Sequence, residues 1–243
     1  MDLSSATILV TGGASGIGLA LVERFLQKGS TVIICGRREE KLKEIKDQYP
    51  RINFRRCDVS KEGDRLELLQ WAADKFPGLN VLVNNAGIQR RIELTQNEDW
   101  GQTQQEIAIN FEAPVHLSTL FIPQLLKQQE PAIINVTSGL SFVPLAFAPV
   151  YCATKAAFHS FTLSLRHQLA RTPLKVIEII PPAVNTDLGG PGKHTFGVPV
   201  DEFADAVMVR LVKGDIEIPY GTSERLSQAS HDGFDKIFGQ MNQ

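Results

Sequence analysis

Little in this chain can cross-link it, span a bilayer or attract polyanions. Only three cysteines occur in 243 residues. Cys35, Cys57 and Cys152 are an odd number and match neither a metal-ligand spacing nor a redox pair, so they read as small buried hydrophobes in a reducing compartment. No uninterrupted apolar run approaches the ~18 to 20 residues a membrane-crossing helix needs, and Met1 to Ser5 shows no basic stretch ahead of an apolar segment. A cytoplasmic location without membrane insertion is expected. Charge of one sign is also missing: 25 Lys and Arg against 27 Asp and Glu give a formal net charge of -2. No global basic field invites nucleic acid. The histidines, His116, His159, His167, His194 and His231, are scattered without ligand spacing, and no metal site is expected. Internal repeats, low-complexity tracts and linkers long enough to separate domains are lacking too.

What is there is ordinary globular composition, 43% hydrophobic and 21% charged, in a strict alternation. Short β-branched runs at 7–10, 31–35, 53–57, 80–84, 132–136, 175–180 and 216–218 read as strands. Helical patterns fill 17–28, 39–48, 62–76, 100–128, 149–171 and 201–213, with a tail helix from about Ser223. Repeated βαβ units predict an α/β fold: a Rossmann-like, doubly wound parallel sheet of about seven strands, with helices on both faces. A single domain over 1–243 is expected, with 1–186 as cofactor and catalytic core, 187–200 as a substrate lid and 201–243 as a substrate or oligomer region.

Between the first strand and helix lies Thr11-Gly12-Gly13-Ala14-Ser15-Gly16-Ile17-Gly18. Glycines permit a tight turn and close backbone approach, and free N–H groups at a helix start attract a pyrophosphate. The spacing Gly12-xxx-Gly16-x-Gly18 departs from GxGxxG, and a purely structural turn is the alternative. About 20 positions on, where an acidic residue would bind a ribose hydroxyl, stands Gly36, followed by Arg37 and Arg38. Guanidinium groups grip phosphate oxygens, which favours NADP(H) and leaves NAD(H) open. The alternative for both arginines is a solvated run that continues to Lys46.

Tyr151 and Lys155 stand at i and i+4, on one face of a helix. A phenol ordinarily titrates near 10, and bringing it to neutrality takes roughly 4 kcal/mol, which a nearby ammonium and an oxidised nicotinamide can supply together. Ser138 ends the fifth strand, where open parallel sheets bind ligands; the alternative there is plain turn chemistry. Pro114 lacks an N–H, so the helical bond to the Asn110 carbonyl cannot form. That carbonyl is free for a water, or the kink serves packing alone.

These motifs, in this order, resemble the short-chain dehydrogenase/reductase family over residues 6 to about 186. The resemblance implies that Asn110, Ser138, Tyr151 and Lys155 form its catalytic tetrad, with Tyr151 as acid/base, Ser138 orienting a carbonyl and Asn110 holding a water for a proton relay. Asn84-Asn85-Ala86-Gly87 matches the NNAG motif, whose Asn85, Ala86 and Gly87 flank the cofactor. Gly12, Ser15, Gly16, Ile17 and Gly18 would hold the dinucleotide, Asp58 and Val59 the adenine, and Thr186 the carboxamide. Asp58 also reads as a turn residue. Ala183 stands where the family has glycine, leaving that loop's path open. More narrowly, residues 32–38 and 82–89 resemble the bacterial members encoded with teichoic-acid D-alanylation genes.

The implied activity is hydride transfer between NADP(H) and a small carbonyl or alcohol, by a homodimer or homotetramer packed through 100–128 and 149–171. Phe142, Leu145, Phe147, Leu188 and Phe196 are candidates for an apolar substrate wall. Arg90 and Arg91 could meet an acidic substrate or simply face solvent. Two rivals stand beside this reading. A non-catalytic NADP(H) sensor could use the same fold, and an epimerase or dehydratase also carries YxxxK, although the final third is short for its sugar-nucleotide domain.

Overall fold

A computed structural model describes residues 1–96, 99–229 and 231–242, without the side chains of residues 231 and 232. One parallel sheet runs in the order β3-β2-β1-β4-β5-β6-β7. Its strands are β1 Thr7–Thr11, β2 Thr31–Gly36, β3 Asn53–Arg56, β4 Val81–Asn84, β5 Ala132–Val136, β6 Lys175–Ile180 and β7 Glu217–Pro219. The intervening helices are α1 Gly16–Gln27, α2 Glu39–Gln48, α3 Glu62–Lys75, α4 Trp100–Ile107, α5 Ala113–Leu125, α6 Pro149–Gln168 and α7 Val200–Lys213. Two short elements follow, α8 Thr222–Ser227 and α9 His231–Met241.

Successive strand side chains alternate between the two faces, which explains why the central strands are apolar throughout. Ile8, Val10, Val32, Ile34, Val81 and Val83 pack with Phe25 of α1, Leu42 of α2 and Phe203 of α7. Leu9, Ile33, Leu82 and Ile133 face the opposite layer, built from Leu68 of α3, Phe121 of α5 and Leu165 of α6. The chain leaving β1 thus turns to one face and the chain leaving its neighbour β4 to the other. A crevice opens between their carboxyl ends.

Two expectations need correction. The stretch 100–128 is not one helix: between α4 and α5 lies a π-helical segment, Ala108–Glu112, in which Ala113 donates to the Ala108 carbonyl. Pro114 has no N–H to give, and the wider register accommodates the break. The expected tail helix is two helices, α8 and α9, with residue 230 outside the described residues. Asn242, just past α9, donates to the Pro144 carbonyl and accepts from the Ala146 N–H, tying α9 to the loop before α6.

A file of buried polar side chains runs between the sheet and the layer of α5 and α6. Asn84 Nδ2 donates to Asn135 Oδ1 at 2.9 Å and Ser118 Oγ at 3.1 Å, and Asn135 Nδ2 donates to Thr162 Oγ1 at 2.9 Å. It locks the ends of β4 and β5 to α5 and α6. Replacing Asn135 by Ala leaves the Asn84 amide and the Thr162 hydroxyl each short of a partner in a dry environment. The expected loss is about 1–3 kcal/mol, read from urea unfolding as a lower midpoint at unchanged slope.

Candidate active site

The crevice is a cleft of about 1600 Å³ that runs from Arg37 past the glycine turn to Ser138, Tyr151 and Leu188. Its floor is made by the turn after β1. Gly12 has φ +65°, and a methyl on Gly18 would stand 2.4 Å from both the Gly12 carbonyl oxygen and Asn85 Nδ2. Neither position accepts a side chain without strain. Ser15 precedes α1 with extended backbone, makes no side-chain cap, and no acidic residue occupies the first turn. The residues of the first turn of α1 line the cleft, and their N–H groups have no side-chain cap, a cradle suited to an anion.

Thr11 holds this turn against β4. Its hydroxyl accepts the Asn85 and Ala86 N–H groups, each at 3.0 Å, and donates to the Val83 carbonyl. Asn85 Nδ2 returns bonds to the Thr11 and Gly12 carbonyls. Asp58 Oδ1 accepts from the Ser60 N–H and hydroxyl, so it is a turn residue as well as part of the cleft wall, where Val59 and Ile17 join it. At the far rim Arg37 and Arg38 are exposed. Arg38 reaches Ser15 Oγ at 3.4 Å, and Arg37 has no partner among the described residues.

On the opposite side Tyr151, Lys155 and Ser138 converge, all buried. Lys155 Nζ donates to the Val136 carbonyl at 2.8 Å and lies 5.8 Å from the Tyr151 ring centroid. Ser138 caps the short 3-10 turn Gly139–Ser141 by accepting the Leu140 N–H. Asn110 sits in the π segment, its side chain paired with both the N–H and the carbonyl of Ile88 at 2.9 and 2.8 Å. The irregular register leaves its backbone carbonyl, and that of Ile109, without the ordinary α-helical donor.

Burial dominates the electrostatics. It raises the Tyr151 phenol above its ordinary 10, with Ser138 pulling the other way, so in the folded pocket the phenol stays protonated. It pushes the Lys155 ammonium down to about 8, opposed by Glu178. Sequence spacing reveals only the lysine's effect on the tyrosine. Desolvation, which needs the folded pocket to be known, is the larger influence here.

The pattern of the family described as short chain dehydrogenase matches residues 6–195. The chain belongs to that family. It is 48% identical, over all of its length and 98% of the relative's, to the uncharacterised oxidoreductase DltE of Bacillus subtilis. An uncharacterised oxidoreductase of Staphylococcus epidermidis is 33% identical over 84% of this chain and 90% of the relative. Among solved structures, a short-chain dehydrogenase from Burkholderia cenocepacia in complex with NADP is 26% identical, with a TM-score of 0.85 over 99% of both chains. Family membership makes the protein an oxidoreductase with the Rossmann-like fold.

Every dinucleotide residue expected from the sequence lines the one cleft, Gly16, Gly87 and Thr186 included. Leu145, Phe147, Leu188 and Phe196 form the apolar part of its wall. Phe142 does not: it packs against the His159 ring at 4.6 Å. Arg90 is engaged with the Gln102 carbonyl and Gln105, while Arg91 lies over the Phe147 ring at 4.4 Å. Sequence patterns gave the side chains of Thr11, Thr137 and Glu178 no role of their own. Glu178 left a signal, a lone carboxylate in the strand Lys175-Val176-Ile177-Glu178-Ile179-Ile180.

Glu178 is fully buried and accepts from His159 Nδ1 at 2.8 Å. Its hydrogen bond raises the His159 imidazole above the ordinary 6.5. The folded protein therefore keeps that proton at a pH where the unfolded chain has lost it. The added stability is complete below about pH 6.5 and disappears as pH rises through the higher folded midpoint. Scanning calorimetry should find the Tm of the wild type falling over that window relative to His159→Gln; parallel curves for the two would remove this pair from the pH response.

Proposed function

We propose that the protein transfers a hydride between NADP(H) and a carbonyl or alcohol substrate, with Tyr151 as acid/base. The convergence of Ser138, Tyr151 and Lys155 on the same cleft as the glycine turn carries this reading. Bound NADP(H) would supply or accept the hydride. Gly12, Ser15, Gly16, Ile17 and Gly18 fit its pyrophosphate through the uncapped N–H groups at the start of α1. Asp58 and Val59 would flank the adenine, Asn85, Ala86 and Gly87 the floor, and Thr186 the carboxamide end.

In the reducing direction Tyr151 gives its proton to the substrate oxygen, and Ser138 holds that oxygen by a hydrogen bond. Burial keeps the phenol protonated until it acts, and a cation beside it, favouring the phenolate, eases the loss of that proton. Oxidation runs the same steps backwards and needs the phenolate, which the Lys155 ammonium favours. After Tyr151 has given its proton, Lys155 passes one to the phenolate and takes its own back through a water on the Asn110 carbonyl, which lacks its α-helical donor; a methyl group at Gly87 would stand 3.5 Å from Asn110 Oδ1 and 3.8 Å from Lys155 Nζ.

Arg37 and Arg38 support NADP(H) over NAD(H), since guanidinium groups at the rim suit a phosphate and no carboxylate competes at Gly36. The bound NADP of the Burkholderia relative agrees with this preference. Residues 187–200 would act as the lid, presenting Leu188 and the exposed Phe196 to a small substrate. Trp100, Ile107 and Leu163 expose apolar surface on α4 and α6, which fits a homo-oligomer built through those faces.

NADPH oxidation against a panel of aldehydes, ketones and quinones tests the reading. Tyr151→Phe should lower kcat/KM by about 10²- to 10⁴-fold while NADPH still binds; full turnover in that variant refutes the acid/base role. Tight NADPH binding with no turnover of any panel member would favour a sensor instead. Arg37→Asp should weaken NADPH at least about tenfold more than NADH, by titration of cofactor fluorescence. An equal loss for both counts against the phosphate assignment.

A further inference from the structure

Tyr151, Lys155 and His159 follow one another at intervals of four along α6 and form one stripe. Beneath it lies Glu178 of β6, opposite Asn135 of β5 and fully buried. Its Oε1 accepts the Thr137 hydroxyl at 2.6 Å, and both carboxylate oxygens lie within 3.0 Å of His159 Nδ1. Thr137 stands between two residues that matter to the site. Val136 gives its carbonyl to Lys155 Nζ, and Ser138 gives its hydroxyl to the cleft.

We propose that Glu178 is a positioning residue: through Thr137 it fixes the stretch 136–138 that holds Lys155 and Ser138, and its charge faces the buried ammonium from below. This inference rests on the reading of Lys155 and Ser138 as working groups of the site. Backbone bonds alone do not fix the stretch. The Thr137 N–H donates to the Ile179 carbonyl and the Gly139 N–H to the Pro181 carbonyl, but these hold the chain only along the line of the sheet. The Thr137 hydroxyl, which also lies 3.3 Å from the Ile179 carbonyl, adds an anchor to Glu178 Oε1, and His159 Nδ1 holds both oxygens of that carboxylate.

The charges around Glu178 are few. His159 and Arg166 meet it from α6, Arg166 at 4.0 Å, and Glu217 of β7 engages Arg166 from beyond at 3.7 Å; Lys155, one turn before His159, feels its charge. A buried carboxylate costs much to keep ionised unless cations and donors surround it. This one has a hydroxyl, an imidazole and a guanidinium. It opposes the burial that lowers the Lys155 ammonium. A merely structural residue would hold Thr137 equally well without a charge, which separates the two roles.

The test uses the full chain without nicotinamide or substrate, labelled with ¹³C-lysine, following the Lys155 Cε resonance against pH. Lys155→Arg assigns the signal. The wild-type midpoint is expected at about 8. Glu178→Gln keeps an acceptor for Thr137 but removes the charge, and should lower the midpoint by about one pH unit. Glu178→Asp should bring it back close to the wild type. A midpoint in Glu178→Gln equal to or above the wild-type value overturns the proposal. If that variant does not fold, Thr137→Val decides: amide exchange at positions 137 and 139 should accelerate about tenfold or more, and unchanged exchange overturns the anchoring. Neither readout involves turnover, so an active Tyr151→Phe would overturn the proposed reaction and leave this result standing.

Discussion

Everything at this site depends on β1 and β4 lying side by side while their chains depart to opposite faces of the sheet. Had both turned the same way, the next helix would have closed the space over their ends. Because they diverge, the last residues of two adjacent strands open into solvent. Backbone N–H groups and short side chains collect there without a layer above them. The glycine turn after β1 and the Asn85 loop after β4 meet across this gap, joined through the Thr11 hydroxyl.

A dry pocket at the edge of that gap changes what its ionisable groups cost. Desolvation acts in opposite directions on Tyr151 and Lys155, in each case favouring the neutral form. A neutral lysine would be of little use beside a phenol that must sometimes lose its proton. Opposing charge has to come from within the protein, and Glu178 is the buried carboxylate that acts on Lys155. The pocket is thus buried enough for electrostatic effects to be large, yet balanced by charges set into the strand behind it.

Irregular backbone in this molecule is concentrated where the site needs it. The π segment around Asn110 exists because Pro114 cannot donate and Ala113 donates to Ala108. It releases carbonyls on the very turn whose side chain clasps Ile88, beyond the Asn85 loop. Gly12 and Gly18 answer a different demand, the close passage of backbone past backbone. In each case a single residue type enforces the departure from regular structure.

The sequence by itself determined the alternating parallel fold, because strands buried on both faces must be apolar throughout and their connecting helices need only one apolar stripe. It also determined the glycine turn and the Tyr151–Lys155 spacing, since both are local: a turn or an i, i+4 pair is fixed by the residues within it. The π register, the division of the tail into α8 and α9, and the place of Phe142 against His159 were decided by the tertiary structure. So was the direction of the pKa shifts, which depends on how much water the assembled pocket excludes. The partnership of Thr137, His159 and Glu178 joins β5, α6 and β6, and no window of sequence contains all three in contact. Only packing brings a lone carboxylate in an apolar strand beneath a lysine more than twenty residues away.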